Sequence, residues 1–284
     1  MHPSVQQKIE TVTGGKVILS AGLSGGCVGD VFRLELSDGT KLVAKTGDED
    51  AGLEIEGWML RYLKDNSALP VPGVIHADPG LLLMTFIEAA GRLNAKTQED
   101  AGRLVASLHN IKGQSFGLER DTVVGGLPQP NPETKKWLPF FRDQRLLFMG
   151  RCALDAGRMP GSLMGRLEKF SGNLDRFLLE PTYPSLIHGD MWTGNVLAGK
   201  NKIAGFVDPA LYYAHAEIEL AFTTLFGTFG EAFFKSYREM RPIEPGFFEE
   251  RRDLYNLYPL LVHVRLFGGS YVNSVDGVLR KVGF

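Results

Sequence analysis

Short apolar runs separated by turn signals fill the first part of the chain. Two strand-like runs flank a glycine-rich bend in residues 16–36, and the tight-turn signal SDGT leads into a third run, KLVAKT. Apolar residues then recur at helical spacing over about residues 53–64, which predicts an amphipathic helix. Beyond the breaker NSALPVPG, the runs VIHAD and LLLMTFI predict two further strands. Together these patterns predict a small antiparallel sheet accompanied by one helix.

After about residue 89 the apolar pattern becomes mainly helical. Thr97 and Asp100 stand in a capping-box arrangement near the start of KTQEDAGRLVASLHNI, which continues as an amphipathic helix. The segment SLIHGD predicts a short buried strand that enters a loop, NVLAGKNKIAGFVD predicts a hairpin, and GGLPQPNPETKKW predicts a loop. Further helices are predicted at about residues 135–155 and 161–179 and over most of the chain after Glu217.

This change of pattern predicts a bilobal α+β protein. We expect a small N-terminal lobe at residues 1–88, built on the antiparallel sheet with its one helix, and a larger, mainly helical lobe at residues 89–284. A chain of 284 residues, of which 44% are apolar, is long enough to bury a large core in this way.

Composition and charge exclude several classes of protein. The formal net charge is −2 and the basic residues are scattered, so no broad cationic surface invites nucleic acid or anionic lipid. Two cysteines, Cys27 and Cys152, are too few for a disulfide-rich secreted scaffold. The N-terminus lacks the features of a secretory signal, and no run reaches the roughly 20 apolar residues of a membrane-spanning helix. We therefore expect a soluble, cytoplasmic protein, a monomer or weak dimer, that binds neither nucleic acid nor membrane.

Three oxygen-bearing side chains follow the predicted buried strands. Asp190 and Asn195 lie in HGDMWTGN, and Asp208 ends the apolar run of IAGFVDPA. Hairpin strands that carry such groups at their ends would bring them to one cleft, where carboxylate and amide oxygens suit Mg²⁺. Asn195 and Asp208 would then hold the metal of an ATP complex, while Asp190 accepts the proton of an incoming hydroxyl. The alternative, that Asp190 and Asn195 merely cap turns, is disfavoured by the joint spacing.

Two N-terminal features fit a nucleotide site of the same type. In SGGCVGDVF, the backbone at Gly25 and Gly26 can approach phosphate oxygens, although a plain hairpin turn explains the glycines as well. Lys45 ends LVAK and could reach the phosphates if a carboxylate on the following helix holds it. Glu56 is the first choice for that carboxylate and Glu54 the second. A solvated lysine at a strand end is the alternative.

The run LLLMTFIE stands where a strand and a hinge would join the two lobes. In folds that bind ATP between two lobes, the adenine ring hydrogen-bonds to the backbone of the hinge segment that joins the lobes. The corresponding groups here are the C=O of Thr85 and the N–H of Ile87. This assignment depends on their place in the chain alone.

The order of these motifs resembles that of the fructosamine kinase (ketosamine 3-kinase) family, within the aminoglycoside-phosphotransferase-like branch of the protein-kinase-like fold. The resemblance covers nearly the whole chain. It is most specific in HGDMWTGNV, with its Trp two residues after the Asp, and in DPALYYAHAEIELA. The segments SGGCVGDVF, LVAK, EIEGWMLRYL, GLPQPN and FFKSY occur in the matching order. HGD with a distant Asp alone would also suit choline or aminoglycoside kinases.

The resemblance implies phosphate transfer from ATP, with Mg²⁺, to the third-carbon hydroxyl of a ketosamine on a protein lysine or a free amine. The phosphorylated adduct is then unstable and sheds its sugar, so the implied activity is deglycation. By position, Asp190 becomes the base, Asn195 and Asp208 become the Mg²⁺ ligands, and Lys45 and Glu56 become the phosphate-orienting pair.

Substrate contacts are implied as well. Trp192 would line the sugar site, where an indole face suits the C–H surface of a sugar, although ordinary packing explains it nearly as well. His215 would face the substrate, although a loop histidine is more often satisfied within the protein. Glu219 is expected to tie the catalytic loop from the next helix. Asp208 is followed by Pro and Ala rather than Phe and Gly, so we expect no flip of the kind seen at the DFG motif of protein kinases.

Two other functions stay open. A kinase of this fold could act on another hydroxyl acceptor, such as an aminoglycoside, an amino alcohol or another sugar. Acidic residues in the C-terminal third would suit a polycation, but Arg and Lys interleave with them. A silent pseudokinase that serves as a binding module is disfavoured because every expected catalytic side chain is present. The sequence does not decide which ketosugar is preferred.

Overall fold

The N-terminal part of the chain is built on one five-stranded sheet, in a computed structural model that describes residues 1–23 and 29–284. The strands are β1 (Val17–Leu23), β2 (Asp30–Leu36), β3 (Lys41–Thr46), β4 (Val74–Asp78) and β5 (Leu81–Thr85). They are hydrogen-bonded in the order β1-β2-β3-β5-β4, and each neighbouring pair is antiparallel. The sheet predicted from the apolar runs is therefore confirmed.

One face of this sheet is covered by a helix that the sequence analysis did not predict. Helix α1 (Pro3–Thr13) places Ile9 against Leu34, Leu42 and Leu83, which point to the same face because side chains alternate along a strand. Within α1, Ile9 is the one buried residue, so the helix has too short an apolar stripe to give a periodic signal.

Helix α2 (Leu53–Asn66) lies on the other face and joins the sheet to the C-terminal part. Leu53 and Leu60 pack beneath the sheet, whereas Met59 and Leu63 belong to the large core of the C-terminal part. Its apolar residues are thus divided between two cores. This double attachment fixes the position of α2 relative to both parts of the molecule.

Two polar contacts add to this attachment of α2. The hydroxyl of Tyr62 lies 3.2 Å from the hydroxyl of Tyr213, a residue of the C-terminal part. The guanidinium of Arg120 lies over the ring of Trp58, 4.9 Å from its centroid, at a distance typical of a cation–π contact.

The C-terminal part is mainly helical and surrounds one large apolar core. Its helices are α3 (Ala95–His109), α4 (Trp137–Phe140), α5 (Phe148–Asp155), α6 (Gly161–Ser171), α7 (Ala216–Leu225), α8 (Glu231–Met240), α9 (Arg252–Tyr255), α10 (Leu257–Phe267) and α11 (Ser270–Lys281), with π-helical turns at Phe141–Leu147 and Phe247–Arg251. Three strand pairs complete it: β6 (Thr122–Val124) with β7 (Leu127–Gln129), β8 (Ser185–Ile187) with β11 (Tyr212–Ala214), and β9 (Val196–Ala198) with β10 (Ile203–Phe206).

Several local predictions need correction. The segment predicted as a loop at residues 125–137 contains β7, and the pairing of β8 with β11 was not predicted. Helix α3 is capped by Asn94, whose Oδ1 accepts from the amide of Thr97 at 3.1 Å, so Thr97 is not the capping residue. Asp100 instead accepts from the amide of Ile203 at 2.9 Å and attaches α3 to β10.

The predicted α+β architecture is confirmed, with a sheet-based N-terminal part and a helical C-terminal part. The boundary between residues 88 and 89 stays a prediction, since α2 contributes to the core on both sides of it. Within residues 1–23 and 29–284, every helix is too short or too polar to span a lipid bilayer.

Helix α7 begins at a buried histidine. Nδ1 of His215 accepts from the amide of Glu217 at 3.1 Å and so caps the helix. Glu217 in turn forms a buried two-point ion pair with Arg251, with N–O distances of 2.6 and 2.7 Å. Burial, together with the positive charge of Arg251, lowers the pKa of His215 to about 3. His215 is therefore neutral at ordinary pH.

Replacing Gly57 with Ala should destabilise the protein. The added Cβ would lie 2.4 Å from the Cβ of Ala77 and 3.2 Å from a methyl of Leu82, so α2 would have to move away from the sheet. Overpacking of this kind costs about 1–3 kcal/mol. Gly277→Ala in α11 is the matched control because nothing lies within 4 Å of its added Cβ, and a helical Ala should stabilise it by up to about 1 kcal/mol. Urea unfolding measures both, and equal free energies of unfolding would contradict the close contact.

His215 should make the protein sensitive to acid. A histidine with a depressed pKa contributes stability that is complete above its ordinary pKa of 6.5 and is lost as the pH falls towards 3. Between pH 7 and pH 5 this loss amounts to about 2 kcal/mol by proton linkage. His215→Asn keeps a capping oxygen but does not titrate, so its free energy of unfolding should fall by about 2 kcal/mol less over this interval. Urea unfolding at the two pH values tests this, with the exposed His2→Asn as the control. The same fall in both variants would refute the assignment.

Candidate active site

The loop between β8 and β9 carries the HGD motif and turns sharply. Gly189 has a φ of 89°, and a Cβ at this position would lie 2.0 Å from the carbonyl oxygen of Ala210. Glycine is therefore required for this close approach. The amide of Ala210 donates to the carbonyl of His188 at 2.8 Å. This contact holds the HGD loop beside the segment that carries Asp208.

Asp190 and Asn195 are joined across this loop. Nδ2 of Asn195 donates to Oδ2 of Asp190 at 2.9 Å and to its backbone oxygen at 2.8 Å. Because the nitrogen is used in this way, Oδ1 is the atom that Asn195 can present to a cation. The amide of Val207 donates to the carbonyl of Asn195 at 3.1 Å. The residue after Val207 is Asp208, so the two predicted metal ligands are neighbours in space.

Lys45 connects β3 to both sides of the cleft. Its Nζ donates to Oε1 of Glu56 at 2.7 Å and to Oδ1 of Asp208 at 2.5 Å. Glu54, the second choice from the sequence, is exposed. The backbone of Asp208 has a φ of 56°, in the left-handed region that residues other than Gly rarely adopt. The cluster therefore contains an ion pair between the two parts of the molecule.

Burial and neighbouring charges together shift the pKa values of groups in this cluster. Burial raises the pKa of Asp190 to about 7, with a further contribution from the Asp208 carboxylate. Burial by itself would lower the pKa of Lys45, but the carboxylates of Glu56 and Asp208 outweigh it and raise that pKa above its ordinary value. Lys45 thus keeps its charge. A carboxyl that titrates near neutral pH is suited to exchange a proton with a bound hydroxyl.

Glu219 of α7 holds the HGD loop from below. Its carboxylate accepts from the amide of Gly189 at 2.6 Å and from that of His188 at 3.3 Å. It also lies 2.8 Å from Nε2 of His109, whose Nδ1 lies 2.8 Å from the hydroxyl of Tyr237. Burial acts against the charge of Glu219, but the interaction with His109 and the hydrogen bond from the amide of Gly189 keep its pKa below the usual range. The predicted tie from Glu219 to the loop is present in the structure.

The part played by His109 was not predicted from the sequence. It lies on α3, 110 residues before Glu219, and is fully buried. A lone histidine in the apolar pattern of a helix gives no sign of a distant carboxylate partner. Only the packing of α3 against α7 and α8 brings the two together.

The first of three cavities around the cluster lies beneath the sheet. This hinge cavity is partly open to solvent and is lined mainly by apolar residues of the sheet, the hinge segment and the β9 region. Thr85 and Ile87, the predicted adenine contacts, both line it, and so do Lys45 and Asp208 at its inner end. Its shape and lining fit an aromatic base held over an apolar floor with its phosphates directed at Lys45.

The second cavity contains the charged cluster itself. This central cavity is lined by Lys45, Asp190 and Asp208 among others. Trp192, the predicted sugar contact, also lines it, and its ring meets that of Phe226 edge-on at 6.2 Å. The opposite wall comes from the β6–β7 hairpin and from α10, which the sequence did not assign to the site; it consists of Val123, Val124, Gly125, Gly126, Val262, His263, Leu266 and Phe267.

A third, small inner cavity lies behind Asp190, between α7 and α10. It shares Asp190, Val124, Val262 and His263 with the central cavity, so the two adjoin. The hinge and central cavities likewise share Lys45 and Asp208. The three cavities therefore follow one another past the carboxylates.

Three of the predicted site residues are not assigned to these cavities. His215 lines none of these cavities; it is 7% exposed and caps α7, so we do not carry it into the proposed substrate site. Gly25 and Gly26 lie outside the described residues.

The oxygens of Asn195 and Asp208 fit a hard divalent cation. Among residues 1–23 and 29–284, no three His, Cys, Asp or Glu side chains are grouped as a metal site. One carboxylate and one amide oxygen form an incomplete shell, which is the arrangement in which Mg²⁺ keeps phosphate and water ligands. Such a pair suits an ion that arrives with a nucleotide.

Two solved structures share the fold of this chain. A crystal structure of a candidate fructosamine-3-kinase from Thermobifida fusca matches with a TM-score of 0.87 and 32% identity, over 99% of this chain and 100% of the other. An aminoglycoside phosphotransferase in a ternary complex with ADP and hygromycin B matches with a TM-score of 0.71 and 14% identity, over 99% of both chains. The second likeness concerns the protein-kinase-like fold alone.

Sequence comparisons agree over the full length. A "probable ketoamine kinase" from Synechocystis is 32% identical over 289 residues, covering 98% of this chain and 95% of the relative. A chloroplastic protein-ribulosamine 3-kinase from Arabidopsis thaliana is 30% identical, over 92% of this chain and 82% of the relative. The sequence profile named "Fructosamine kinase" matches residues 1–283. The chain therefore belongs to the fructosamine kinase family.

Proposed function

We propose that this protein is an ATP-dependent kinase that phosphorylates the 3-hydroxyl of a ketosamine, such as a ribulosamine or fructosamine, on a protein lysine or a free amine. The observation that carries the proposal is the meeting of Lys45, Asp190, Asn195 and Asp208 where the hinge and central cavities adjoin. The family membership and the curated relatives named ketoamine kinase and protein-ribulosamine 3-kinase support the same chemistry.

In the proposed reaction, the hinge cavity holds the adenine, and Lys45 orients the phosphates while Glu56 holds Lys45. Asn195 and Asp208 would hold Mg²⁺, which would supply charge neutralisation at the phosphates. The acceptor oxygen attacks the γ-phosphorus, ADP leaves, and the proton of the hydroxyl passes to Asp190. The 3-phosphorylated ketosamine then eliminates inorganic phosphate, and hydrolysis of the resulting imine-type product releases the free amine and a 3-deoxy dicarbonyl sugar, so the overall outcome is deglycation.

The walls of the acceptor side favour a neutral sugar over a polycation. Among the described residues, the carboxylates lining the central and inner cavities are those of Glu56, Asp190, Asp208 and Glu219, and each has a partner or a role in the cluster. The other acidic residues noted in the C-terminal third line neither cavity; these are Glu217, Glu231, Glu239, Glu244, Glu249 and Glu250. Trp192 supplies the flat apolar face that suits a sugar ring.

A panel of acceptors tests the proposal. Ribuloselysine, fructoselysine, an aminoglycoside and choline should be compared by ADP release, with the phosphate located on the product by ³¹P NMR. We expect turnover with a ketosamine and phosphate on its third carbon. Turnover confined to the aminoglycoside or choline would replace the proposed acceptor, and no ATP consumption with any acceptor would favour a binding module.

Asp190→Asn should nearly abolish phosphate transfer while leaving ATP binding intact. Loss of a positioned base typically lowers kcat by about 10²–10⁴. The amide keeps the size of the side chain, so the loop should stay folded. Asp143→Asn, at an exposed ion pair with Arg142, is the control and should keep full turnover. Substantial kcat in Asp190→Asn would remove the assigned base.

Asp208→Asn should instead weaken binding of the nucleotide in a Mg²⁺-dependent way. The variant loses one charged ligand oxygen, so its affinity for ATP with Mg²⁺ should fall by about 10-fold or more. Without Mg²⁺, the two proteins should bind ATP with more similar affinities. Isothermal titration with and without the metal measures this, and equal affinities in the presence of Mg²⁺ would contradict the assignment.

A further inference from the structure

His263 stands where the acceptor side of the cleft divides. It lies on α10 and lines both the central and the inner cavity, as Asp190 does. Neither the motifs in the sequence nor the proposed reaction gives it a role. A partly exposed polar ring on the wall that adjoins the proposed base is a candidate contact for the acceptor.

The hydrogen bonding of His263 fixes its tautomer. Nδ1 lies 2.7 Å from the carbonyl oxygen of Pro259, one turn earlier in α10. A carbonyl can only accept, so Nδ1 carries the hydrogen and Nε2 is left with a free lone pair. Burial lowers the pKa of His263, which favours this neutral form. The ring therefore offers an acceptor, not a donor, at its far edge.

The ring is also held in place. The rings of Tyr271, Phe226 and Phe267 surround it at centroid distances of 4.9, 5.0 and 5.7 Å. Because Nδ1 is directed back at the backbone of α10, Nε2 is the ring nitrogen that a ligand could use, and His263 lines both cavities. An acceptor held in one orientation in this way can discriminate between ligands.

We propose that Nε2 of His263 accepts a hydrogen bond from a hydroxyl of the acceptor sugar other than the one that is phosphorylated. This inference rests on the proposed function and names a specificity-determining contact within it. The bond would fix the sugar between α10 and Trp192, so that its reactive hydroxyl faces Asp190. Acceptors that lack a hydroxyl at this place would be bound poorly.

Three substitutions separate this role from a structural one. His263→Gln extends an amide oxygen to about the reach of Nε2, whereas His263→Asn reaches only as far as Nδ1 and preserves the contact with Pro259. His263→Leu keeps the bulk without either atom. For Asn and Leu we expect kcat/KM for a ketosamine to fall by about 10-fold or more, chiefly through KM, with ATP affinity unchanged. Gln should recover most of this loss.

The control is His76→Gln. His76 lies on β4, lines none of the three cavities and bonds to Asp78. This variant should therefore keep the kcat and the KM of the unaltered protein for the ketosamine. Thermal unfolding of each variant shows whether the fold is intact. If Asn retains full kcat/KM, or if Gln fails to recover it while both are folded, the contact does not exist. If the unaltered protein turns over no ketosamine, the proposed function fails instead, whatever the variants do.

Deoxy analogues identify the bond directly. The unaltered protein should turn over one monodeoxy ketosamine at least about 10-fold less efficiently, and His263→Leu should no longer distinguish it from the parent sugar. A loss that is the same in both proteins for every analogue would overturn the proposal. This cycle needs no identical stability in the two proteins, since each is compared with itself.

Discussion

The buried carboxylate of Glu219 is the constraint on which the geometry of this site depends. This carboxylate is shielded from water, and its negative charge is compensated by hydrogen bonds with the amides of His188 and Gly189 and with His109. The charge is therefore held in one place. Those amides belong to the loop that positions Asp190. The hydrogen bonds that compensate the buried charge of Glu219 therefore also fix the conformation of the loop. His109 in turn contacts Tyr237, so three helices are committed to the support of one short loop.

Lys45 fixes the position of the N-terminal part of the molecule relative to the C-terminal part. It belongs to the sheet, yet one of its two carboxylate partners follows β10 in the C-terminal part. The ion pair is largely buried, and such a pair is costly to break because it leaves a charge without a partner. The relative position of the proposed phosphate-orienting lysine and the proposed metal ligand is thus set by the protein before any nucleotide arrives.

The sequence allowed the order of the elements and most of the charged cluster to be predicted, because both depend on local signals. Strand alternation and turn residues marked the sheet, and the spacing of Asp190, Asn195 and Asp208 marked the cleft. Helix α1 was missed because one buried residue gives no period. The wall of the central cavity that is formed by the β6–β7 hairpin and α10 was missed for a different reason. Two of its residues, Val123 and His263, lie 140 residues apart in the sequence and meet only through packing. His215 was placed at the substrate by resemblance, but its ring is used within the fold.

The attachment of α2 to two cores has a consequence for regulation. In protein kinases, activity is controlled through the position of the helix whose glutamate holds the phosphate-orienting lysine. Moving such a helix outward requires one side of it to be released into water. Here Met59 and Leu63 are fully buried in the core on which the HGD loop also packs, while Leu53 and Leu60 are buried under the sheet. Outward rotation would expose apolar surface on both sides at once. The attachment of α2 to two cores therefore opposes any regulation that depends on outward movement of this helix.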